Sequence, residues 1–140
     1  MKWLLVLPLA LAALLPQDST PSRFLAVDVY VDSGAEPLAA WQLELRATAG
    51  TVRIAGVEGG AEGVFADPPY YDPKAMRQER VVLAAFSTAA ASTLPKGRTR
   101  VARVHVQVSG EAKLALRLDA AANAAGQRIQ AEANQEPARK

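Results

Sequence analysis

Few side chains in this sequence could carry out acid–base or nucleophilic chemistry. His105 is the single histidine, and it alternates outward between Arg103 and Gln107 on a predicted strand. Histidine is the usual general base near neutral pH, and a hydrolase would need it beside a nucleophilic serine. Ser87 follows Phe86 without the G-x-S-x-G turn that presents such a nucleophile. We therefore predict no catalytic residue and a protein that is not an enzyme, with a small hydrolase kept as a third hypothesis.

Metal and cofactor sites are not indicated either. The chain has no cysteine and one histidine, so the usual ligands of zinc are lacking. Its candidate oxygen ligands for calcium lack the spacing of an EF-hand. These are Asp28, Asp32, Asp67, Asp72 and Asp119. Glycoside hydrolysis needs two carboxylates about 5 to 9.5 Å apart, and Glu44 with an acid of a neighbouring strand stays open as such a pair. We predict no metal and no cofactor.

The main binding candidate is an aromatic group in the irregular middle of the chain, formed by Phe65, Tyr70 and Tyr71. Prolines in the stretch 67–73 restrict this loop, and rigid aromatic side chains lose little entropy on binding. Tyrosine offers an apolar ring and a polar tip, which suits a sugar or a protein surface. The alternative is that the insert folds over one open end of the domain and seals its core.

The elements that must position these side chains are β-strands. Residues 24–31, 41–47 and 99–108 alternate apolar and polar side chains, which is typical of half-buried strands. Trp41 has the inward parity of its strand and is predicted to lie in the core. Residues 81–86 are apolar on both faces and predict a central strand. Asp72 followed by Pro73 predicts the N-cap and first position of a short helix.

Closely spaced turn signals complete the fold prediction. Gly50 and the pair Ser109-Gly110 interrupt the alternation, and further strands are predicted at 51–57 and 114–118. The fold class is therefore all-β: a single jelly-roll-like β-sandwich of seven to nine strands. We place the domain at 22–132 and a polar tail at 133–140.

The first residues predict a signal peptide over 1–17. Met1 and Lys2 precede an apolar run from Trp3 to Leu15, which is shorter than the about 20 residues that cross a bilayer. The alanines near its end offer a cleavage site, although a retained signal remains an alternative. We expect an exported protein, periplasmic or extracellular, with no membrane contact after signal removal. Without cysteine, no disulfide stabilises it.

Charge argues against nucleic acid as a partner. The formal net charge of the chain is +2, close to balance for its length. Nucleic-acid binding needs a clustered basic footprint. The nearest to one, at 96–103, is interpreted as a solvated loop and strand face.

The order and spacing of the predicted strands resemble the cohesin-like, dockerin-binding family of bacterial extracellular sandwiches. The similar segments run from the opening strand to a final hairpin that contains Gly126. They are Ala26–Val31, Ala40–Leu45, Val82–Ser87, Val101–Val108, Leu116–Asp119 and Asn123–Ile129. The resemblance implies a flattened jelly roll without catalytic activity, and related carbohydrate-binding modules share that architecture. The insert 67–73 departs from the family's pattern.

The sequence therefore predicts an exported, non-catalytic binding or assembly module. Its first candidate partner is a protein that is engaged through a sheet face or strand edge, and the resemblance implies a dockerin-like one. The alternative is a carbohydrate-binding module in which Phe65, Tyr70 and Tyr71 bind an extracellular polysaccharide.

Overall fold

The computed structural model describes residues 21–139, which form five β-strands and three one-turn 3-10 helices. The strands are β1 (Ser22–Asp32), β2 (Ala40–Gly59), β3 (Arg80–Phe86), β4 (Arg98–Ala122) and β5 (Glu132–Pro137). The 3-10 helices are Gly63–Phe65, Pro73–Ala75 and Ala91–Thr93. The fold is thus all-β, as predicted. The predicted signal peptide lies outside the described residues, and none of the helices within 21–139 is long and apolar enough to span a membrane.

All five strands belong to one antiparallel sheet in the order β3-β2-β4-β1-β5. β4 is its central element, because its first half pairs with β1 from Ser22↔Ser109 to Asp32↔Arg98. From Ala102 to its end at Ala122, β4 also pairs with β2, from Gly59↔Ala102 to Ala40↔Ala122. β3 and β5 form the two edges of the sheet, so the prediction of 81–86 as a central strand was wrong.

The strand count is lower than the sequence predicted, because two strands each combine two predicted ones. β2 contains both 41–47 and 51–57, and β4 contains both 99–108 and 114–118. Gly50 and Gly110 lie at these junctions with φ of 71° and 69°. Glycine tolerates this left-handed conformation, so the chain changes direction without ending its pairing. The register of β2 against β4 shifts on both sides of Ala49.

One hydrophobic core receives side chains from both halves of the long strands. Val29 and Val31 of β1 enter it, as does Trp41 of β2 with the inward parity that was predicted. β2, β3 and β4 supply most of the other members whose exposure is at most 1%, and Leu38 joins them from the loop before β2. The strand members are Leu43, Leu45, Ile54, Val81, Leu83, Val101, Ala102, Val104, Val106 and Val108. The sheet therefore encloses a single core, and the polar residues that alternate with these face outward.

Two segments outside the predicted strands also form regular structure. Asp72 accepts a hydrogen bond from the backbone N of Lys74 at 2.9 Å, which confirms it as an N-cap, although the helix is a single 3-10 turn. Residues 132–137, mostly within the stretch expected to be a polar tail, form β5 and pair with β1 from Asp32 to Val27.

The junction at Gly50 supplies the first testable prediction. A Cβ at Gly50 would lie 2.8 Å from the Ala112 Cα and 2.8 Å from the Glu111 carbonyl O, whereas a Cβ at Gly110 meets nothing within 4 Å. Both substitutions bear the left-handed penalty, about 1 kcal/mol, but only Gly50→Ala adds a backbone clash. We expect Gly50→Ala to lower the free energy of unfolding by about 2 to 4 kcal/mol and Gly110→Ala by about 1 kcal/mol, measured by urea denaturation. Equal losses would contradict the close approach of the two strands.

Candidate binding face

The structure does not bring the three predicted aromatic residues together. Phe65 is 3% exposed and packs edge-on against Trp41, with ring centroids 6.2 Å apart. Tyr71 is half-buried against the core. Tyr70 is 71% exposed. Phe65 and Tyr71 therefore take the core-sealing role that was the alternative, and Tyr70 alone presents most of its ring to solvent.

Phe86, which the sequence analysis did not select, joins Tyr70. The Tyr70 backbone N donates to the Ala84 carbonyl O at 2.8 Å, and the Ala84 N donates back at 3.1 Å. This bridge fixes Tyr70 beside the edge of β3, where its ring lies nearly parallel to that of Phe86 with centroids 6.3 Å apart. Phe86 is 64% exposed. Phe86 lies on the same face of β3 as Val82 and Ala84, and this alternation could have indicated its exposure. The sequence does not show which face of β3 points outward, because both faces carry apolar residues.

A shallow groove of about 270 Å³ lies next to these two rings, and we call it the alanine groove. Six alanines of β2, β3 and β4 form most of it, and its walls include Tyr70, Phe86, Gln42 and Trp41. Because alanine covers little of the sheet, another molecule can approach the backbone closely here. The indole Nε1 of Trp41 is buried and has no acceptor among the described residues, which costs about 1 to 3 kcal/mol.

A group of charged side chains lies next to the alanine groove, on the same outward face of the sheet. Glu44 of β2 is 8% exposed in its side chain, and three guanidinium groups lie 3.6 to 3.8 Å from its carboxylate. They belong to Arg46, Arg80 and Arg117, which we call the arginine cluster. The sequence analysis treated Glu44 as a possible catalytic carboxylate. The structure makes it the anion that holds three cations on one surface.

Asp119 links the arginine cluster to the alanine groove. Arg117 Nε donates to its carboxylate at 2.7 Å, and this hydrogen bond holds the pKa of Asp119 below its ordinary value, against the effect of burial. A hydrogen bond from Gln42 acts in the same direction. The alanine groove, Gln42 and the arginine cluster form one continuous surface on β3, β2 and β4, which we call the binding face.

A second polar group lies on β1, the end of β2 and the first half of β4. Arg103 donates to Asp28 through Nε at 2.7 Å and through Nη2 at 3.2 Å, and Arg100 lies 3.7 Å from the same carboxylate. His105 Nε2 lies 2.6 Å from Glu58 Oε2, and this contact lowers the pKa of Glu58.

The remaining chemical candidates are not assembled into a reactive group. Ser87, the serine considered as a nucleophile, accepts a hydrogen bond through its Oγ from the backbone N of Ala89 at 3.2 Å. His105 is paired with Glu58 instead. Within residues 21–139, no three His, Cys, Asp or Glu side chains converge as metal ligands.

Comparisons of the chain with models of protein families, with curated proteins and with solved structures find no match.

Asp28 supplies a prediction on pH. Its hydrogen bonds from Arg103 lower its pKa from 3.8, although burial opposes them. The carboxylate therefore stabilises the fold above pH 3.8, and this contribution is lost as the pH falls through the lowered pKa. We expect Asp28→Asn to lower the free energy of unfolding at pH 7 by about 1 to 3 kcal/mol. The variant should also flatten the acid limb of the stability profile.

The matched control is Glu136→Gln, which removes the exposed pair of Arg98 and Glu136. It should cost no more than about 1 kcal/mol, because exposed ion pairs contribute little. Urea denaturation of both variants between pH 2 and pH 7, in steps of about 0.5 pH unit, measures these changes in the free energy of unfolding. An unchanged acid limb in Asp28→Asn would refute the assignment.

Proposed function

We propose that the protein is an exported, non-catalytic binding or assembly module that docks a protein partner on the binding face. In this proposal the two halves of the long strands are the two layers of a jelly-roll-like sandwich. The core shared by both halves and the direction changes at Gly50 and Gly110 support that arrangement.

The observation that carries the proposal is the pair of exposed aromatic rings beside the alanine groove. Tyr70 and Phe86 leave 71% and 64% of their surface exposed, and exposed arginines lie on the same face. Aromatic and arginine side chains are the residue types that dominate the energetic centres of protein interfaces. An apolar centre with a charged border is the usual anatomy of such a surface.

The sheet face is a better docking surface than either sheet edge. Part of the β3 edge is already occupied by the backbone of Tyr70, which pairs with Ala84. β5 is short, carries polar and charged residues and ends at Pro137, and these features discourage the addition of another strand. Of the two routes that the sequence left open, the geometry therefore favours the face.

A carbohydrate ligand is the second candidate, and the neighbours of Tyr70 favour it. Gln42 places an amide in the same groove as the exposed tyrosine ring, and polar groups beside a ring can bind sugar hydroxyls. Of the three residues predicted for sugar binding, Tyr70 has the exposure to stack on a sugar ring, and Phe65 has not.

The test of the proposed function removes the exposed rings one at a time. Phe86→Ala and Tyr70→Ala should each reduce capture of a protein partner from the exported fraction at least about tenfold, because central aromatic residues dominate interface energies. Quantitative pull-down with immobilised protein measures this. Urea denaturation should give both variants a free energy of unfolding within about 0.5 kcal/mol of the parent protein, since the lost ring surface is solvent-exposed.

Phe24→Ala is the matched control. Phe24 is also 71% exposed but lies on β1, in a separate groove with Leu25 and Leu114. If the partner is still captured by the Phe86→Ala variant but not by the Phe24→Ala variant, the interface lies on β1 and not on the binding face. Retention on a polysaccharide panel that depends on Tyr70, with no protein captured, would establish the carbohydrate alternative.

A further inference from the structure

The exposed charge of the binding face is positive although its carboxylates and guanidinium groups are close in number. The guanidinium side chains of Arg46, Arg80 and Arg117 are 58%, 62% and 66% exposed, whereas Glu44 is 8% exposed. Asp119 is 21% exposed and already bonded to Arg117. Solvent and any approaching molecule therefore meet the cations first, and the neutralising anions lie beneath them.

The arginine cluster also keeps unused hydrogen-bond donors. Each guanidinium has five N–H donors in a fixed fork. Arg46 and Arg80 approach Glu44 at 3.8 and 3.6 Å, which is outside ordinary hydrogen-bond distance, so these contacts are ion pairs that occupy few donors. Buried Glu44 holds the two side chains in place without saturating them. The two guanidinium groups can therefore donate hydrogen bonds to carboxylates of another molecule.

The registers of the strands set the distance between the alanine groove and the arginine cluster. Gln42 lies level with Ala84 and Ala120 in the groove, and Arg46 lies opposite Arg80. A strand rises about 3.3 Å per residue, so Glu44 is about 7 Å and Arg46 about 13 Å from Gln42 along β2. An extended segment lying along β2 covers the same distances in two to four of its own residues.

The volume of the alanine groove fits one part of a larger molecule better than a whole small-molecule ligand. Its volume of about 270 Å³ is below the range of about 300 to 1,000 Å³ typical of small-molecule pockets. It is open and mostly apolar, so it fits one apolar side chain whose main chain continues over the sheet. The cations two to four residues away then meet the next side chains of that segment.

From these observations we infer that the partner presents an acidic segment to the binding face. One apolar or aromatic side chain of the segment enters the alanine groove, and Asp or Glu residues two to four positions along it bind Arg46 and Arg80. This inference rests on the proposed function and adds the chemistry of the partner. Charge complementarity of this kind sets the orientation of the segment and speeds its association.

The experiment selects peptides from a random library on the immobilised protein. Enriched sequences should contain an apolar residue with Asp or Glu two to four positions away. Synthetic copies should lose affinity about tenfold or more when those acids become Asn or Gln, and also when the anchor becomes alanine. Their affinity for the parent protein should fall steeply as salt is raised.

The matched protein variants separate the inference from the proposed function. Arg46→Gln with Arg80→Gln keeps Arg117 beside Glu44, and should weaken the selected peptides about tenfold. Arg53→Gln, on the other half of β2, is the control and should change nothing. Peptides without acidic enrichment that still need Phe86 would overturn the inference and leave the proposed function standing.

Two further outcomes would also decide between the claims. Selected peptides that bind Phe86→Ala and Tyr70→Ala as tightly as the parent would overturn the binding face itself. Polygalacturonate binding that needs Arg46, Arg80 and Tyr70, with no peptide enriched, would replace the acidic segment by an acidic polysaccharide. Urea denaturation of the double arginine variant checks that it folds, and if it does not, the single Arg80→Gln substitution carries the same comparison.

Discussion

The structure depends on two long strands that change direction without ending. At Gly50 the chain passes so close to Ala112 that no side chain fits between them, and the left-handed conformation there is one that glycine adopts readily. This junction lets the inward residues on both sides of Gly50, such as Leu45 and Val52, enter one core. The chain has no cysteine, so this shared core takes the place of any disulfide in stabilising the domain.

The same alternation that places apolar side chains in the core places polar side chains on the outward surface of the sheet. Along β2 the buried Trp41 and Leu43 alternate with Gln42 and Glu44, and β4 brings Arg117 opposite Glu44. A carboxylate as buried as Glu44 would be strongly destabilising without cations nearby. The arginine cluster therefore compensates the buried charge of Glu44. Because its guanidinium groups are exposed, the same contacts also give the binding face a positive surface.

The sequence predicted what depends on local pattern and missed what depends on long-range pairing. Alternation correctly placed Trp41 in the core, and local hydrogen bonding correctly identified Asp72 as an N-cap. Gly50 was interpreted as the end of a strand, because sequence alone does not distinguish a bend from a stop. The burial of Glu44 requires Arg46, Arg80 and Arg117 from three strands, and the pairing of Tyr70 with Phe86 requires the insert to return to β3.

Packing within the sheet does not account for an aromatic side chain at position 86. At the outward positions of a strand an aromatic side chain stabilises the fold only where it packs against cross-strand neighbours. Phe86 lies opposite Ala40, which offers it almost nothing, and most of its ring faces solvent. Its ring stacks with that of Tyr70, which is 71% exposed and is held beside the sheet by two backbone hydrogen bonds. Two rings that contribute this little to the core, next to alanines that leave the sheet uncovered, have their main apolar surface available to another molecule.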